Sequence, residues 1–169
     1  MKETSLKRVS IGLALVLALS LTGCHSGKAA AQANLTAGQS FLAANAKQAG
    51  VVSLPDGLQY KVIASGPADG PKPQASDEVK VHYEGKLLSG QVFDSSFARG
   101  TPADLPLQSL IPAWIEALQL MRPGDEWILY VPPALGYGDQ GQGPIPPDSV
   151  LIFRIRLIGV LSHPGGMAG

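Results

Sequence analysis

The chain has a single cysteine among 169 residues, and one thiol cannot close an internal disulfide. A small domain stapled by bridges is therefore excluded. Histidine is almost as scarce: His25, His82 and His163 lie far apart, and none stands at metal-ligand spacing with a carboxylate. Charge is low and balanced, thirteen basic residues against thirteen acidic ones. Without a basic face to displace counterions, nucleic acid is not a partner. No apolar run reaches the roughly twenty residues of a stable membrane span. No serine sits in a nucleophile elbow and no internal repeat is visible. The loop from Gly136 to Pro147 is rich in glycine but lacks the lysine and spacing of a phosphate cradle. An enzyme built from this chain has to work without a nucleophile, metal or cofactor.

What the chain does have is turn formers, twenty glycines and fourteen prolines, dispersed rather than clustered. They predict β structure joined by tight loops. The length is that of one domain plus tails.

The first residues are a separate matter. Lys2, Lys7 and Arg8 precede a short apolar run from Val9 to Leu19, broken only by Ser10 and Gly12, which is the pattern of an export signal. The run ends in "LTGC", Leu21 to Cys24, and these four residues resemble the lipobox of bacterial lipoproteins. That resemblance implies removal of residues 1–23 and a lipid anchor on Cys24 that holds the chain on a membrane without spanning it. His25 stands where an Asp usually retains such proteins on the inner membrane, so the resemblance implies the outer membrane of the bacterial cell envelope, facing the periplasm.

Residues 24–35 show no apolar period and read as a flexible tether, at most about 40 Å long when extended. Thr36 with Gln39 has capping-box spacing, which predicts a short helix over 36–50, closed by Gly50. From 51 to 161 the character is that of a β domain. "LPDG" (54–57) is a turn, and "LQYKVI" (58–63) alternates as a strand. In "EVKVHYEG", Val79, Val81 and Tyr83 share one face, while Lys80 and His82 share the other, which makes His82 a surface residue. "LSGQVF" predicts a hairpin turn into a further strand. A helix of about ten residues follows, with Pro112 in its first turn and Ile111, Trp114, Ile115 and Leu118 on its buried face. "WILYV" (127–131) and the alternating "VLIFRIRLIGV" (150–160) are strands, and residues 162–169 are a frayed tail. Alternating strands without repeated strand–helix units predict an α+β fold, an antiparallel sheet covered on one face by a single helix.

From Leu54 to Val160 the chain resembles an FKBP-type peptidyl-prolyl cis-trans isomerase of the bacterial, periplasmic kind. Five segments carry the resemblance in the family's order: "VHYEGKL" (81–87), "GQVFDSS" (90–96), "LIPAWIEALQLMRPGD" (110–125), "ILYVPPALGYG" (128–138) and "IPPDSVLIFRIRLI" (145–158). It implies a twisted antiparallel sheet wrapped around one short helix. It also implies a pocket whose catalytic set is Tyr83, Phe93, Asp94, Trp114, Tyr137 and Phe153, with Leu110, Ile111 and Ile145 binding substrate. Trp114 is its floor, and Tyr83, Phe93 and Phe153 are walls. For Leu110 and Phe153 a plain core role fits the pattern equally well. In the family a backbone donor at the position of Ile111 meets the substrate's carbonyl. The implied partners are proline-containing polypeptides and macrolides of the FK506 and rapamycin type, with no cofactor or metal. Ala103 departs from members with a phenylalanine ahead of the helix, lowering one wall. Pro144 stands where an isoleucine often precedes Ile145. The stretch between Tyr137 and Ile145 is too short for the chaperone insert of some relatives.

Asp94, in "VFDSS", has three readings from sequence: catalytic acid or base, orienting group, or turn former. Rotation about an amide moves no proton, so under the resemblance Asp94 sits at the rim and orients polar neighbours. Two other functions share these residues: a chaperone or binding module that uses the groove without catalysis, and a structural lipoprotein with a small β domain. A fold alone does not choose among them. Only one short helix precedes the domain, which predicts a monomer.

Overall fold

The computed structural model describes residues 23–161. Helix α1 (Gly23–Asn45) leads into strands β1 (Val51–Ser53) and β2 (Gln59–Ala64). Then come β3 (Glu78–Leu87), β4 (Val92–Ser95), the one-turn helix α2 (Ser96–Arg99) and β5 (Ala103–Pro106). Helix α3 (Pro112–Leu120), β6 (Glu126–Val131) and β7 (Leu151–Leu161) complete the described chain. All pairings are antiparallel, in the order β1-β2-β6-β7-β3-β4, and β5 also pairs with β3. Strand β3 is the organiser. It meets β7 along its whole length, β5 along its first half and β4 along its second.

The period-two pattern of β7 sets which face is inside. Leu151, Phe153, Ile155 and Leu157 are buried, while Arg154 and Arg156 point outward. Val79, Val81, Leu129 and Val131 extend the inner face on β3 and β6. Against it lies α3, with Pro112 opening the helix where its missing N–H costs nothing. Its buried stripe is Ala113, Trp114, Ala117 and Leu118, with Ile115 only partly covered. Each of the larger side chains stabilises the fold by roughly 1.5–3 kcal/mol on burial. The expected α+β architecture, an antiparallel sheet on a short helix, is the one observed.

The N-terminal expectations need correction. Residues 24–35 are not a tether, because α1 already begins at Gly23 and runs unbroken to Asn45. Alanine propensity explains this: Ala29, Ala30, Ala31 and Ala33 favour helix without supplying any apolar period. Thr36 is accordingly no cap. It lies mid-helix, and its Oγ1 donates back to the Gln32 carbonyl at 2.9 Å. Nor is the sheet covered on one face only. Phe41 packs on Tyr130 with ring centroids 5.9 Å apart, and Asn45 donates to Gln59 at 2.9 Å, so α1 covers part of the outer face. The seam is narrow and made of small and polar residues, which is why hydrophobic period missed it. Residues 1–22 of the signal assigned to 1–23, and the tail assigned to 162–169, lie outside the described residues.

Candidate active site

Trp114 lies in the first turn of α3 and is only 4% exposed. Tyr83 from β3 meets its ring edge-on at 5.2 Å and 80°, and Phe153 from β7 does so at 5.3 Å and 86°. Phe93 from β4 meets Phe153 at 5.6 Å and 85°. Three edge-to-face contacts lock four rings from four elements, the geometry that aromatic quadrupoles favour. They bound a cavity of about 660 Å³. Leu110, Ile111, Tyr137, Ile145 and Asp94 line it as well, so all nine residues singled out in the sequence come together.

Glycine makes the packing possible. A Cβ on Gly85 would lie 2.5 Å from the Phe93 ring and 2.7 Å from that of Phe153. Only a residue without a side chain lets both rings cross β3 there.

The polar rim has one ionic knot. The Tyr83 hydroxyl donates to Asp94, Arg99 forms an ion pair with Asp94, and Arg99 also donates to the Tyr83 oxygen at 3.1 Å. Local structure aims the arginine. Ser95 caps α2 by accepting from the Ala98 N–H at 3.1 Å, and Arg99 ends that single turn. Partial burial pushes the Asp94 carboxyl up, but the hydrogen bonds from Tyr83 and Arg99 and the guanidinium charge outweigh it, leaving its pKa below the usual value. Burial raises the phenols of Tyr83 and Tyr137, and the Asp94 carboxylate raises them further. Both therefore stay protonated and can donate.

Several donors of the lining residues have no acceptor among the described residues; the buried Trp114 indole N–H is one, and a backbone N–H and a phenol are two more. The backbone N–H is that of Ile111, at the N-cap of α3, where helix geometry supplies no partner. The Tyr137 hydroxyl is the phenol. The site thus offers apolar walls, hydrogen-bond donors without internal partners and one neutralised carboxylate. That set can bind a carbonyl-bearing apolar group, and it holds no side chain arranged to attack it.

A family model described as "FKBP-type peptidyl-prolyl cis-trans isomerase" matches residues 70–158, more than half of the chain. The chain belongs to this family. A second model, "Domain amino terminal to FKBP-type peptidyl-prolyl isomerase", matches residues 22–62, the stretch of α1, β1 and most of β2. Over 128 residues the chain is 51% identical to "Peptidyl-prolyl cis-trans isomerase Mip" of Coxiella burnetii, covering 75% of this chain and 55% of that protein. Over 131 residues it is 48% identical to "Outer membrane protein MIP" of Legionella longbeachae, covering 77% and 55%. The chain spans a little over half the length of these two relatives. Among solved structures it is similar to FkpA from Escherichia coli, with a TM-score of 0.79 and 37% identity, over 82% of this chain and 64% of that one.

Several lining residues were not assigned to the pocket from the sequence. Leu105, Ser109, Gln142, Gly143 and Pro144 also line the cavity. The β5 side chain facing it is Leu105, while Ala103, two residues earlier on the same strand, is not among the lining. Arg99 was missed as well, although a basic residue five positions after Asp94 at the end of a capped turn was a usable signal. His82 is not a plain surface residue. Its ring stacks on Phe97 at 4.8 Å, and its Nδ1 lies 3.0 Å from the Ser96 hydroxyl. That hydroxyl accepts from the Tyr83 N–H at 2.7 Å and donates to the Tyr83 carbonyl at 3.2 Å, so it clasps the residue that carries the rim phenol.

Proposed function

We propose that this chain is a peptidyl-prolyl cis-trans isomerase acting on X–Pro bonds of exported polypeptides. The observation that carries the reading is the four-ring cavity with the Ile111 and Tyr137 donors at its edge. An X–Pro bond turns slowly because rotation breaks amide resonance, against a barrier of roughly 18–20 kcal/mol. The planar amide carries the larger charge separation and is the form water stabilises better. A cavity walled by Trp114, Phe153, Phe93 and Ile145 withdraws that advantage and accepts the twisted form. The gain has to fall on the transition state, where each ~1.4 kcal/mol is worth about tenfold in rate. In this reading Trp114 is the floor under the proline ring, and Leu110 is a flanking wall. The Ile111 N–H and the Tyr137 hydroxyl hold substrate carbonyls on either side of the turning bond. Asp94 transfers no proton. Paired with Arg99, it fixes the Tyr83 phenol at the rim.

The test is a protease-coupled assay on a short X–Pro peptide with the full chain and its Trp114→Ala variant. Acceleration by the first and its loss in the second is expected. Equal rates for both and for buffer would sink the reading.

The chain acts at the bacterial envelope, held by acyl chains on Cys24 at the outer membrane and facing the periplasm. Support comes from the "LTGC" sequence and from a relative bearing the name "Outer membrane protein MIP". Cys24 falls in the first turn of α1, so the anchor attaches through a helix of roughly 35 Å rather than a slack tether. Labelling of growing cells with a palmitate analogue tests this, and an unlabelled chain would contradict it. The chain works as a monomer in this reading, although α1, at 23 residues, is longer than the short helix on which that expectation rested. A dimer by light scattering would overturn that. Macrolides of the FK506 and rapamycin type compete for the same cavity, and an unchanged rate at saturating inhibitor would exclude them.

A further inference from the structure

We propose that α1 is a strut for one wall of the cavity, and that Asn34 is the positioning residue that joins the two. The proposal rests on the isomerase reading only for its effect on turnover, not for the contact itself.

The wall in question is the segment Gln142–Ile145, part of the long connection between β6 and β7. That connection is bonded mainly to itself: the Gly141 N–H donates to the Tyr137 carbonyl at 3.1 Å and the Asp148 N–H to the Gly138 carbonyl at 2.9 Å. Gly138, Gly141 and Gly143 all have positive φ, and Pro144, Pro146 and Pro147 have no N–H to donate. Gln142 and Ile145 exchange two hydrogen bonds of 2.9 Å with each other, which closes the tip but does not tie it to the sheet. Asp148 has φ 55°, the one positive value at a non-glycine among the described residues, and such a conformation persists only where its surroundings hold it.

Where the connection runs into β7 there is a second cavity, of about 300 Å³, lined by Asn34 and Ala37 of α1, by residues 87–89 and 91 of the β3–β4 turn, and by Pro146, Ser149 and Val150. Two contacts bridge the gap. The Asn34 side-chain N–H donates to the Pro147 carbonyl at 2.9 Å, next to the strained Asp148. One turn on, Gly38 approaches Val150 so closely that a Cβ there would stand 2.6 Å from its methyl group. Asn34 and Pro147 are 113 residues apart in sequence, so the bond reports docking of the helix rather than local geometry. The rest of α1 is held elsewhere, by Phe41 on Tyr130 and by Gln59 donating to the Leu42 carbonyl at 2.9 Å. With the helix fixed there, Asn34 holds the Pro147 carbonyl, two residues beyond the end of the wall.

Asn34→Asp keeps the size of the side chain and removes the donor, and Gly38→Ala lifts the helix from Val150. Amide hydrogen exchange on the full chain by NMR reads the effect directly. In both variants the Gln142 and Ile145 amides should exchange about three- to tenfold faster, the fold-change of losing one neutral hydrogen bond. Amides in the β3–β7 ladder should keep their rates. KM for an X–Pro peptide should rise by a similar factor with kcat within about twofold, because a displaced wall loosens binding more than it alters rotation. Unchanged exchange at both amides would overturn the strut, as would uniform acceleration across the ladder, which is loss of stability alone. A chain inert towards X–Pro peptides sinks the isomerase reading instead, and the exchange arm still decides the strut.

Discussion

Gly85 lies under the ring of Phe93, so near that a methyl group in place of its hydrogen would stand 2.5 Å from the ring edge. The same atom would meet Phe153 at 2.7 Å, and no shift of one ring relieves both contacts. Gly85→Ala should therefore cost about 1–3 kcal/mol of stability by overpacking. It should also lower kcat/KM on the order of tenfold or more by moving two cavity walls. Denaturant titration and a peptide assay on the purified variant check the two halves together. A variant with native stability and full activity would mean the rings are freer than their packing implies.

Asp94→Asn tests whether the rim carboxylate works by orientation. The pair with Arg99 is partly exposed, Asp94 by 42%, and solvent screens it. Activity should fall by about two- to fivefold, not by orders of magnitude. The depressed pKa keeps Asp94 ionised below the ordinary carboxylate range. Its stabilising contacts are therefore complete above the unfolded value and are lost only as pH falls through the lower folded one. The pH–rate profile of the unaltered chain should be flat through neutrality. An inflection near neutral pH that disappears in Asp94→Asn would contradict this and restore an acid–base role.

Glu116, on the far side of α3 from the cavity, behaves oppositely. A hydrogen bond shared with Asp56, burial and the Asp56 charge push its pKa up to about 7. A raised carboxyl pKa means the fold binds a proton that the unfolded chain has released, so stability declines as pH rises from about 4.5 to about 7. Glu116→Gln should raise the melting temperature at pH 8 by about 2–4 °C, the shift that ~1 kcal/mol gives in a chain of this length, with no gain at pH 5. Equal effects at both pH values would show that the two carboxyls do not interact.

Glu126 anchors the outer face. It is 5% exposed and accepts from Arg154 at 2.6 Å and from Arg156 at 2.7 Å, while both guanidiniums lie over the Phe97 ring. Burial raises its pKa, but the two arginines pull it below the usual value, so its contribution disappears only in acid. Glu126→Gln sets an amide N–H against a guanidinium and should cost about 1–3 kcal/mol in a denaturant titration, with kcat/KM unchanged. A loss of activity at equal stability would tie the outer face to the cavity.

Patterns with a short period were legible in the sequence. The alternation of β7, the Pro112 start of α3 and the turn residues around Gly90 each predicted the element found there. The cavity side chains were legible through their motifs, because aromatic residues at the ends of separate segments form no single periodic stripe. What was hidden had the wrong period or none. Helix α1 docks through Asn34, Gly38, Phe41 and Asn45, a seam too polar and too small for a hydrophobic count, though its seven-residue spacing between Gly38 and Asn45 was there to read. Strand β5 has four residues and ends in Pro106, and α2 is a single turn that depends on its Ser95 cap. Glu126 carries no local sign of its role, since β7 is what brings two arginines beside it. The reason for Gly85 lies in two rings that reach it from other strands, which no local pattern shows.

The most direct test is exchange NMR on an X–Pro peptide mixed with the full chain, in ordinary and in heavy water. A cavity that eases rotation by shape and dryness alone predicts interconversion well above the buffer rate, with the same enhancement in both solvents. Interconversion no faster than in buffer, or an enhancement that collapses in heavy water, would contradict it.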